Sequence, residues 1–361
     1  MKLFYLTDTV HNSGGMEKAL IFKANFLSAE YGYEVTIVTA HQKGRPPFFP
    51  LDSGVRLIDL DVNTHIPGMI WLYMRRLRKL LSNEKPDIVD SLCSKELPHL
   101  PKLKGNFVKM AEFHFCREKF IIEGKSLRLR RMQKAVGKLD SFVVLTKEDR
   151  DAWAPYCRNS VQIYNPVTLQ SFDETPGPAS NRCISGGRFE RQKNYPLMIS
   201  AWETVHARHP DWTLDLYGNG RKKKEVEKLI REKGLEGSIH IHPPVKNFRE
   251  ELAGSAIYLM SSLYEGFPLV LVETASIGLP CVSVRCPCGP SEFIEDGIDG
   301  FTCQRGDALD MAAKICTLIE NPHLRSCMGK RLVKKSALFT PEKIMPAWDR
   351  LFKRLASEKH G

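Results

Sequence analysis

Short apolar segments of strand length alternate with amphipathic segments of helical length along most of the chain. Strands are predicted at Lys2–Leu6 and Glu34–Thr39, with a helix between them at Met16–Tyr31. The apolar face of that helix consists of Ala19, Leu20, Phe22, Ala24, Phe26 and Leu27. Further strands are predicted at Arg56–Leu60, Pro86–Leu92, Asn106–Glu112 and Ser141–Leu145. This alternation indicates a parallel sheet with helices on both faces.

The alternation stops in a polar stretch rich in proline and glycine, residues 166–182, and then starts again. The second set of strands is predicted at Cys183–Gly186, Trp212–Tyr217, Ser238–His242, Ile257–Met260 and Pro280–Val284. The helices of this half are predicted at Tyr195–Val205, Lys222–Lys233, Leu269–Ile277, Ala308–Glu320, Arg325–Leu338 and Pro341–Leu355. We therefore predict an α/β protein with two Rossmann-like, doubly wound domains, residues 1–165 and 183–340, joined by a linker at 166–182.

Length and composition agree with this organisation. The 361 residues exceed one ordinary domain, and 42% hydrophobic with 26% charged residues can supply two cores. No apolar run approaches the roughly 18–20 residues that cross a bilayer. Asp8 interrupts the N-terminus before the roughly 7–15 apolar residues of a signal peptide, so a cytoplasmic location is expected. Ten cysteines without a C-x-x-C pair are expected to be free, mostly buried thiols.

The net charge of +11 favours an anionic partner, which could be nucleic acid, acidic lipid or a diphosphate ligand. A segment suited to a diphosphate follows the first strand of the second half. Gly186 and Gly187 end this strand, and Arg188 and Lys193 follow closely. Glycine lets a ligand approach the backbone, and the two cations supply charge. From this segment alone, a glycine turn followed by a solvated basic loop fits equally well.

Two carboxylates eight residues apart flank the start of a predicted helix. Glu265 precedes Pro268, a residue favoured in the first turn of helices, and Glu273 lies inside the helix. Free amides at a helix N-terminus attract phosphate, which places Glu265 in the loop of an anion site. Glu273 can accept hydrogen bonds from two sugar hydroxyls, although a salt-bridged surface glutamate is the alternative. The glycine-rich segment Cys288–Phe301 is expected to close the same pocket.

These segments resemble family 4 of the retaining glycosyltransferases, which have the GT-B fold of two facing Rossmann-like domains with a cleft between them. The matching features are the E-x7-E pair, the phosphate loop Gly186–Asn194 and the segment Gly289–Ile294. In the first half, Gly14-Gly15 resembles the turn that opens the first helix of the family, and Glu112–His114 resembles the strand end whose histidine faces the cleft. The resemblance covers the whole chain and is weakest between residues 40 and 105.

The resemblance implies roles for the matching positions. The catalytic residues would be Glu265, His114, Arg188 and Lys193. The donor-binding residues would be Gly15, Gly187, Arg188, Lys193, Glu265, Gly266, Phe267, Pro268, Leu269, Val270 and Glu273. Arg188 and Lys193 would bind the diphosphate, Glu273 the ribose hydroxyls, and His114 the sugar or a phosphate. The first domain would bind the acceptor and the second the nucleotide sugar. The last helix, within 341–357, would cross back to the first domain through Trp348 and Phe352.

The family also implies the reaction. A hexose or N-acetylhexosamine would move from a nucleotide diphosphate sugar, with UDP favoured, to a saccharide acceptor during cell-surface polysaccharide synthesis. Retention would follow from a front-face displacement in which the leaving phosphate is the base, and the protein would contribute positioning and charge stabilisation. No cofactor or metal would be required. Asp59-Leu60-Asp61 has the spacing of the Asp-x-Asp metal motif, but it lies in the variable acceptor half and is interpreted as chance.

Other functions fit less well. A nicotinamide-dependent oxidoreductase is disfavoured because Gly14-Gly15 is not Gly-x-Gly-x-x-Gly, and a P-loop nucleotidase because Lys119 stands where that motif needs its first glycine. An epimerase or phosphorylase on the same fold stays open. A basic nucleic-acid-binding protein is the more distant alternative, supported by charge but by no recognition motif, so no nucleic-acid partner is expected.

Two of the basic clusters suit an anionic membrane surface. Ile70–Met74 is followed by Arg75–Lys79, and a second cluster occupies Arg128–Arg131. A peripheral association with the inner face of the cell membrane, and a lipid-linked acceptor, are therefore expected. Solvated helix faces are the alternative.

Overall fold

Two separate parallel sheets organise the protein, whose computed structural model describes residues 1–92, 95–167 and 180–360. The chain divides into a first unit, Met1–Pro166 with Pro341–Gly361, and a second unit, Val167–Thr340. Most of the predicted linker, 168–179, lies outside the described residues. The two-domain α/β architecture predicted from the alternation of strands and helices is confirmed.

The first unit contains a seven-stranded parallel sheet. Its strands are β1 (Lys2–Thr7), β2 (Glu34–Thr39), β3 (Arg56–Asp59), β4 (Ile88–Ser91), β5 (Val108–Phe113), β6 (Ser141–Val144) and β7 (Ser160–Gln162), in the spatial order β3-β2-β1-β4-β5-β6-β7. The helices between them are α1 (Gly15–Tyr31), α2 (Met69–Glu84), α3 (Glu118–Ile122), α4 (Ser126–Val136) and α5 (Lys147–Trp153). One core lies on each face of the sheet, because successive residues of each strand point to opposite faces.

The second unit contains a six-stranded parallel sheet in the spatial order β10-β9-β8-β11-β12-β13. Its strands are β8 (Arg182–Gly186), β9 (Thr213–Tyr217), β10 (Ile239–His242), β11 (Ile257–Met260), β12 (Cys281–Val284) and β13 (Phe301–Cys303). Its helices are α6 (Tyr195–Arg208), α7 (Lys223–Glu232), α8 (Phe248–Ala253), α9 (Leu269–Ser276), α10 (Pro290–Phe293), α11 (Ala308–Glu320) and α12 (Pro322–Ser336). The strand order is that of a Rossmann domain, in which ligands bind beyond the carboxyl ends of the central strands β8 and β11.

The last helix, α13 (Pro341–His360), belongs to the first unit. Trp348 and Phe352 are completely buried and share a core with Leu3 and Tyr5 of β1. This is the packing that was predicted for the C-terminal helix.

Some local predictions need correction. The helix predicted at Arg325–Leu338 is α12, which begins earlier because Pro322 occupies its first turn. On α1 the buried positions include Ile21 and Lys23, whereas Phe22 and Phe26 are only partly buried.

Two bulk predictions have structural counterparts. In the part of the chain that the structure describes, every helix is too short or too polar to span a bilayer. The described cysteines are free thiols and nearly all are buried, as expected, and Cys93 lies outside the described residues.

Candidate active site

The carboxyl end of β8 is shaped by two glycines that leave no room for a side chain. A Cβ atom on Gly186 would lie 2.5 Å from Cζ of Phe248, and one on Gly187 would lie 2.9 Å from Cε of Lys193. The carbonyl of Gly187 accepts a hydrogen bond from the hydroxyl of Tyr195 at 3.0 Å, and that of Gly186 accepts one from Tyr258 at 3.3 Å. Two buried tyrosines therefore hold the glycine loop in place.

Lys193 lies next to Glu265, although 72 residues separate them in sequence. Its Nζ is 2.7 Å from Oε1 of Glu265, and the two side chains are 19% and 10% exposed. The backbone carbonyl of Lys193 accepts a hydrogen bond of 2.7 Å from the hydroxyl of Ser261 just after β11. The pair thus connects the ends of the two central strands, and part of the Lys193 side chain remains exposed.

The loop that carries Glu265 is held from two sides. Gln192 Nε2 lies 3.1 Å from the carbonyl of Tyr264 and 3.4 Å from Oε2 of Glu265, so Lys193 and Gln192 each contact one carboxylate oxygen. From the other side, a Cβ on Gly289 (φ +131°) would lie 2.9 Å from Cδ of Pro268 and 3.1 Å from Cβ of Glu265. The segment around Gly289 therefore packs directly against the Glu265 loop, as expected.

Helix α9 begins directly after this loop, with Pro268 at its N-cap position and no capping side chain. Gly266, Phe267 and Pro268 are buried, while Leu269 and Val270 in the first turn are partly exposed. The first-turn amides are thus available to an anion beside Lys193.

Glu273 lies one turn further into α9 and is partly exposed. Helix α8 packs against α9 and brings the charge of Arg249 close to Glu273. Burial lowers the pKa of Arg249, and the charge of Glu273 partly opposes this effect. Arg188 is exposed on the glycine loop. Of the residues predicted in this half, the structure brings Gly187, Lys193 and Glu265–Val270 together, with Glu273 and Arg188 at the periphery.

His114 and Gly15 lie in the first unit, whose site is described by itself. Gly15 is the exposed first residue of α1. His114 follows β5, and its side chain is 4% exposed. Its Nε2 lies 3.1 Å from Oε2 of Glu112, and Nδ1 lies 3.4 Å from Nδ2 of Asn165. Both ring nitrogens therefore have protein partners.

His41 lies close to Asp59 and Asp61 of the Asp-x-Asp sequence, so three side chains that can bind a metal ion lie together. His41 Nδ1 is 2.9 Å from Oδ1 of Asp61, and one ligand atom from each of the three residues lies within 4.8 Å of the others. The oxygens of Asp59 already accept hydrogen bonds from the hydroxyl of Thr39 and the amide of Gln42. The absence of a functional metal stays a prediction.

Some of the apolar residues next to the basic cluster Arg75–Lys79 are less exposed than the sequence indicated for a membrane-binding surface. Tyr73 and Met74 are buried in the core beneath α2, whereas Trp71 is 66% exposed, with the guanidinium of Arg75 5.9 Å from its ring centroid. On α4, Arg130 and Arg131 are exposed. On α2, the apolar side chain that the candidate membrane surface exposes is therefore that of Trp71, and not those of Tyr73 and Met74.

Comparison with known proteins identifies the class of enzyme. Residues 169–335 match the family model of glycosyl transferases group 1. The chain is 26% identical over 357 residues to an amylovoran biosynthesis glycosyltransferase of Erwinia amylovora, covering 96% of this chain and 98% of the relative. The protein is a glycosyltransferase, and the part that matches group 1 is its second half. These matches favour a glycosyltransferase over the alternatives of an oxidoreductase, a nucleotidase and a nucleic-acid-binding protein.

Solved structures show that this glycosyltransferase has the GT-B fold. A crystal structure of S. aureus TarM superimposes with a TM-score of 0.85 at 16% identity, covering 97% of this chain and 99% of TarM. HepE of Anabaena, in complex with UDP and glucose, gives a TM-score of 0.80 at 17% identity, covering 98% and 100%. The predicted fold class is confirmed.

Sequence reasoning gave no role to three residues that shape these sites. Gln192 contacts the Glu265 loop, and its position next to Lys193 in the sequence was a signal. Arg249 approaches Glu273 from another helix, which no local pattern indicates. Lys23 is a lysine on the buried face of α1, and such a position predicts a buried ionic partner.

Proposed function

We propose that this glycosyltransferase transfers a hexose or N-acetylhexosamine from a UDP-sugar to a saccharide acceptor, with retention of the anomeric configuration. The observation that carries the proposal is the Lys193–Glu265 pair, which lies beside the glycine loop and the uncapped N-terminus of α9. Cations and free amides favour a diphosphate, while a carboxylate at the same position favours sugar hydroxyls. A nucleotide diphosphate sugar carries both groups.

Each residue would then have one task. Lys193, Arg188 and the first amides of α9 stabilise the charge on the departing diphosphate, and Glu265 orients the transferred sugar. Glu273 accepts hydrogen bonds from the ribose hydroxyls. The departing phosphate takes the proton of the acceptor hydroxyl as the new bond forms on the same face of the sugar. Positioning and charge stabilisation supply the rate enhancement.

Three of the related proteins support the choice of donor and pathway. Structures of TarM and of HepE were determined with UDP. The Erwinia relative is named for the biosynthesis of amylovoran. We accordingly propose UDP as the nucleotide, cell-surface polysaccharide synthesis as the pathway, and glycosyltransferase family 4 as the subtype.

We also propose that the acceptor is lipid-linked and that the first unit contacts an anionic membrane at the cytoplasmic face. Exposed Trp71 next to Arg75, and exposed Arg130 and Arg131, supply an aromatic anchor with cations around it. Each Lys or Arg near an anionic surface contributes about 1 kcal/mol. The reaction needs no metal on this account, because cations of the protein stabilise the leaving group.

The test is a screen of UDP- and GDP-sugars against lipid-linked and free saccharide acceptors, with EDTA or with Mg²⁺. We expect UDP release that requires an acceptor, proceeds in EDTA and yields a product whose new linkage keeps the α or β configuration of the donor by proton NMR. Release without an acceptor would favour an epimerase or a hydrolase. An inverted linkage would contradict the retaining mechanism.

A further inference from the structure

Four ionisable side chains lie together beneath the carboxyl end of β5. Lys23 comes from α1, Asp90 from β4, Glu112 from β5, and His114 follows β5 directly. Lys23, Asp90 and Glu112 are almost completely buried. Among these four only His114 has a role, the contact with the sugar or a phosphate that the sequence resemblance implies, so the burial of the other three needs its own explanation.

Lys23 requires an ionised partner. Its Nζ forms an ion pair with Oε1 of Glu112 and lies 3.7 Å from the ring centroid of Trp348 on α13. A buried ammonium without a counter-charge is strongly destabilising, so Glu112 has to be ionised. Burial acts to raise the pKa of Glu112, but the charge of Lys23 and the hydrogen bond with His114 outweigh it and hold the pKa below its usual range.

Asp90 is in the opposite state. Neither of its carboxyl oxygens meets a hydrogen-bond donor among the described residues, and Glu112 is its close neighbour. Burial, followed by the charge of Glu112, raises the pKa of Asp90 well above its usual range. A proton on Asp90 explains both the missing donor and the nearness of the Glu112 charge, because the neutral carboxyl group donates a hydrogen bond to Glu112. The cluster then holds one positive charge, on Lys23, and one negative charge, on Glu112.

The remaining contacts fix the imidazole. Glu112 as a carboxylate only accepts hydrogen bonds, so the ring nitrogen at 3.1 Å, Nε2 of His114, carries a hydrogen. The amide nitrogen Nδ2 of Asn165 lies 3.4 Å from Nδ1 and is a hydrogen-bond donor, so Nδ1 is the nitrogen with the lone pair. One tautomer satisfies both neighbours.

We propose that Lys23 and Glu112 are positioning residues that hold His114 as the Nε2–H tautomer, so that Nδ1 accepts a hydrogen bond from a sugar hydroxyl. The proposal rests on the proposed function in one respect, that His114 contacts the substrate. The proposal also specifies the substrate group that His114 contacts. A nitrogen that accepts a hydrogen bond pairs with a hydroxyl, which donates one, and not with a phosphate oxygen. The long bond from Asn165 is the contact that a substrate hydroxyl replaces.

Nitrogen NMR of the full chain with labelled histidine rings tests the tautomer directly. The His114 signals are assigned among the 11 histidines by their loss in His114→Gln. Wild type is expected to show Nε2 protonated and Nδ1 free, and Asp90→Asn keeps this pattern because the amide still donates to Glu112. Glu112→Gln leaves Lys23 without a counter-charge and presents an amide that can rotate, so the single tautomer is lost.

Kinetics complete the test. We expect Glu112→Gln to lower kcat about a hundredfold with a much smaller change in donor KM, because the imidazole is misplaced. The control Glu84→Gln removes a carboxylate that also pairs with a lysine, Lys2 at 2.6 Å, and leaves both the tautomer and kcat unchanged.

Two results would overturn the proposal. The first is a wild-type spectrum in which His114 is protonated at Nδ1, and this measurement does not depend on any variant folding. The second is an unchanged His114 tautomer in Glu112→Gln. The activity of His114→Gln distinguishes failure of the tautomer proposal from failure of the role of His114 in transfer. Transfer at the wild-type rate in that variant would remove His114 from the reaction, whatever its tautomer.

Discussion

Glu265→Gln is expected to have opposite effects on nucleotide binding and on sugar transfer. In the free protein the Glu265 carboxylate lies 2.7 Å from Nζ of Lys193. There it forms an ion pair with the ammonium that the diphosphate would need, and its negative charge repels an incoming diphosphate. Glutamine keeps the shape, frees Lys193 and removes the repulsion. UDP, which has no sugar for Glu265 to hold, should therefore bind more tightly to the variant.

The magnitude follows from distance and exposure. Two unit charges 4 Å apart interact by about 1 kcal/mol in bulk water and about 4 kcal/mol at an effective dielectric constant of 20. Because both side chains keep some exposure, we take roughly 1.5–3 kcal/mol, which is about 10- to 100-fold in Kd. Transfer should fall about a hundredfold or more, as when one preorganised stabilising group is removed from an active site.

Calorimetric titration with UDP and initial rates with the UDP-sugar measure the two effects. Glu320→Gln is the matched control, because Glu320 pairs with Arg208 at 2.8 Å on the surface of the same unit. Unchanged or weaker UDP binding by Glu265→Gln would refute the placement of this carboxylate at the diphosphate site.

Three further predictions concern stability and membrane binding. Gly289→Ala should lower the free energy of unfolding by about 1–3 kcal/mol in urea titrations, because φ is +131° and the new Cβ meets the Glu265–Pro268 loop. Gly297→Ala, with a positive φ but open space, is the control and should cost less. Burial raises the pKa of Asp149 to about 7, so its stabilising effect is complete below pH 4 and is lost as pH rises through 7. Asp149→Asn should remove roughly 3 kcal/mol of this decline between pH 5 and 8.5, and an unchanged decline would contradict the assignment. Trp71→Asp should weaken flotation with anionic vesicles but not UDP binding, and equal flotation would contradict the membrane surface.

The strands and the E-x7-E region could be predicted because their signals are local. Buried parallel strands are short apolar runs between amphipathic helices, and the predicted strand Glu34–Thr39 has the bounds that the structure gives. The resemblance indicated that Lys193 and Glu265 share a site, and the order of β8 and β11 in the sheet explains how they meet.

Other features depend on contacts between elements distant in sequence. Tyr73 and Met74 precede a basic run, and this sequence suggested that they belong to a membrane-binding surface. Because of the helical period, however, both lie on the face of α2 that packs against the core. The ion pair of Lys23 and Glu112 joins residues 89 positions apart, and the contact of Lys23 with Trp348 requires the helix that returns to the first unit. Neither contact has a local sequence signal beyond a lysine in an apolar helix face.

The most direct test of the central claim is calorimetric titration of UDP in EDTA into wild type, Lys193→Met and Glu273→Ala. We predict metal-independent binding by wild type and weaker binding by both variants. For Lys193→Met the loss should be about 10- to 100-fold, as for one hydrogen bond to a charged group of about 1.5–3 kcal/mol. No UDP binding by wild type, or equal binding by all three proteins, would contradict a donor site at the Lys193–Glu265 pair.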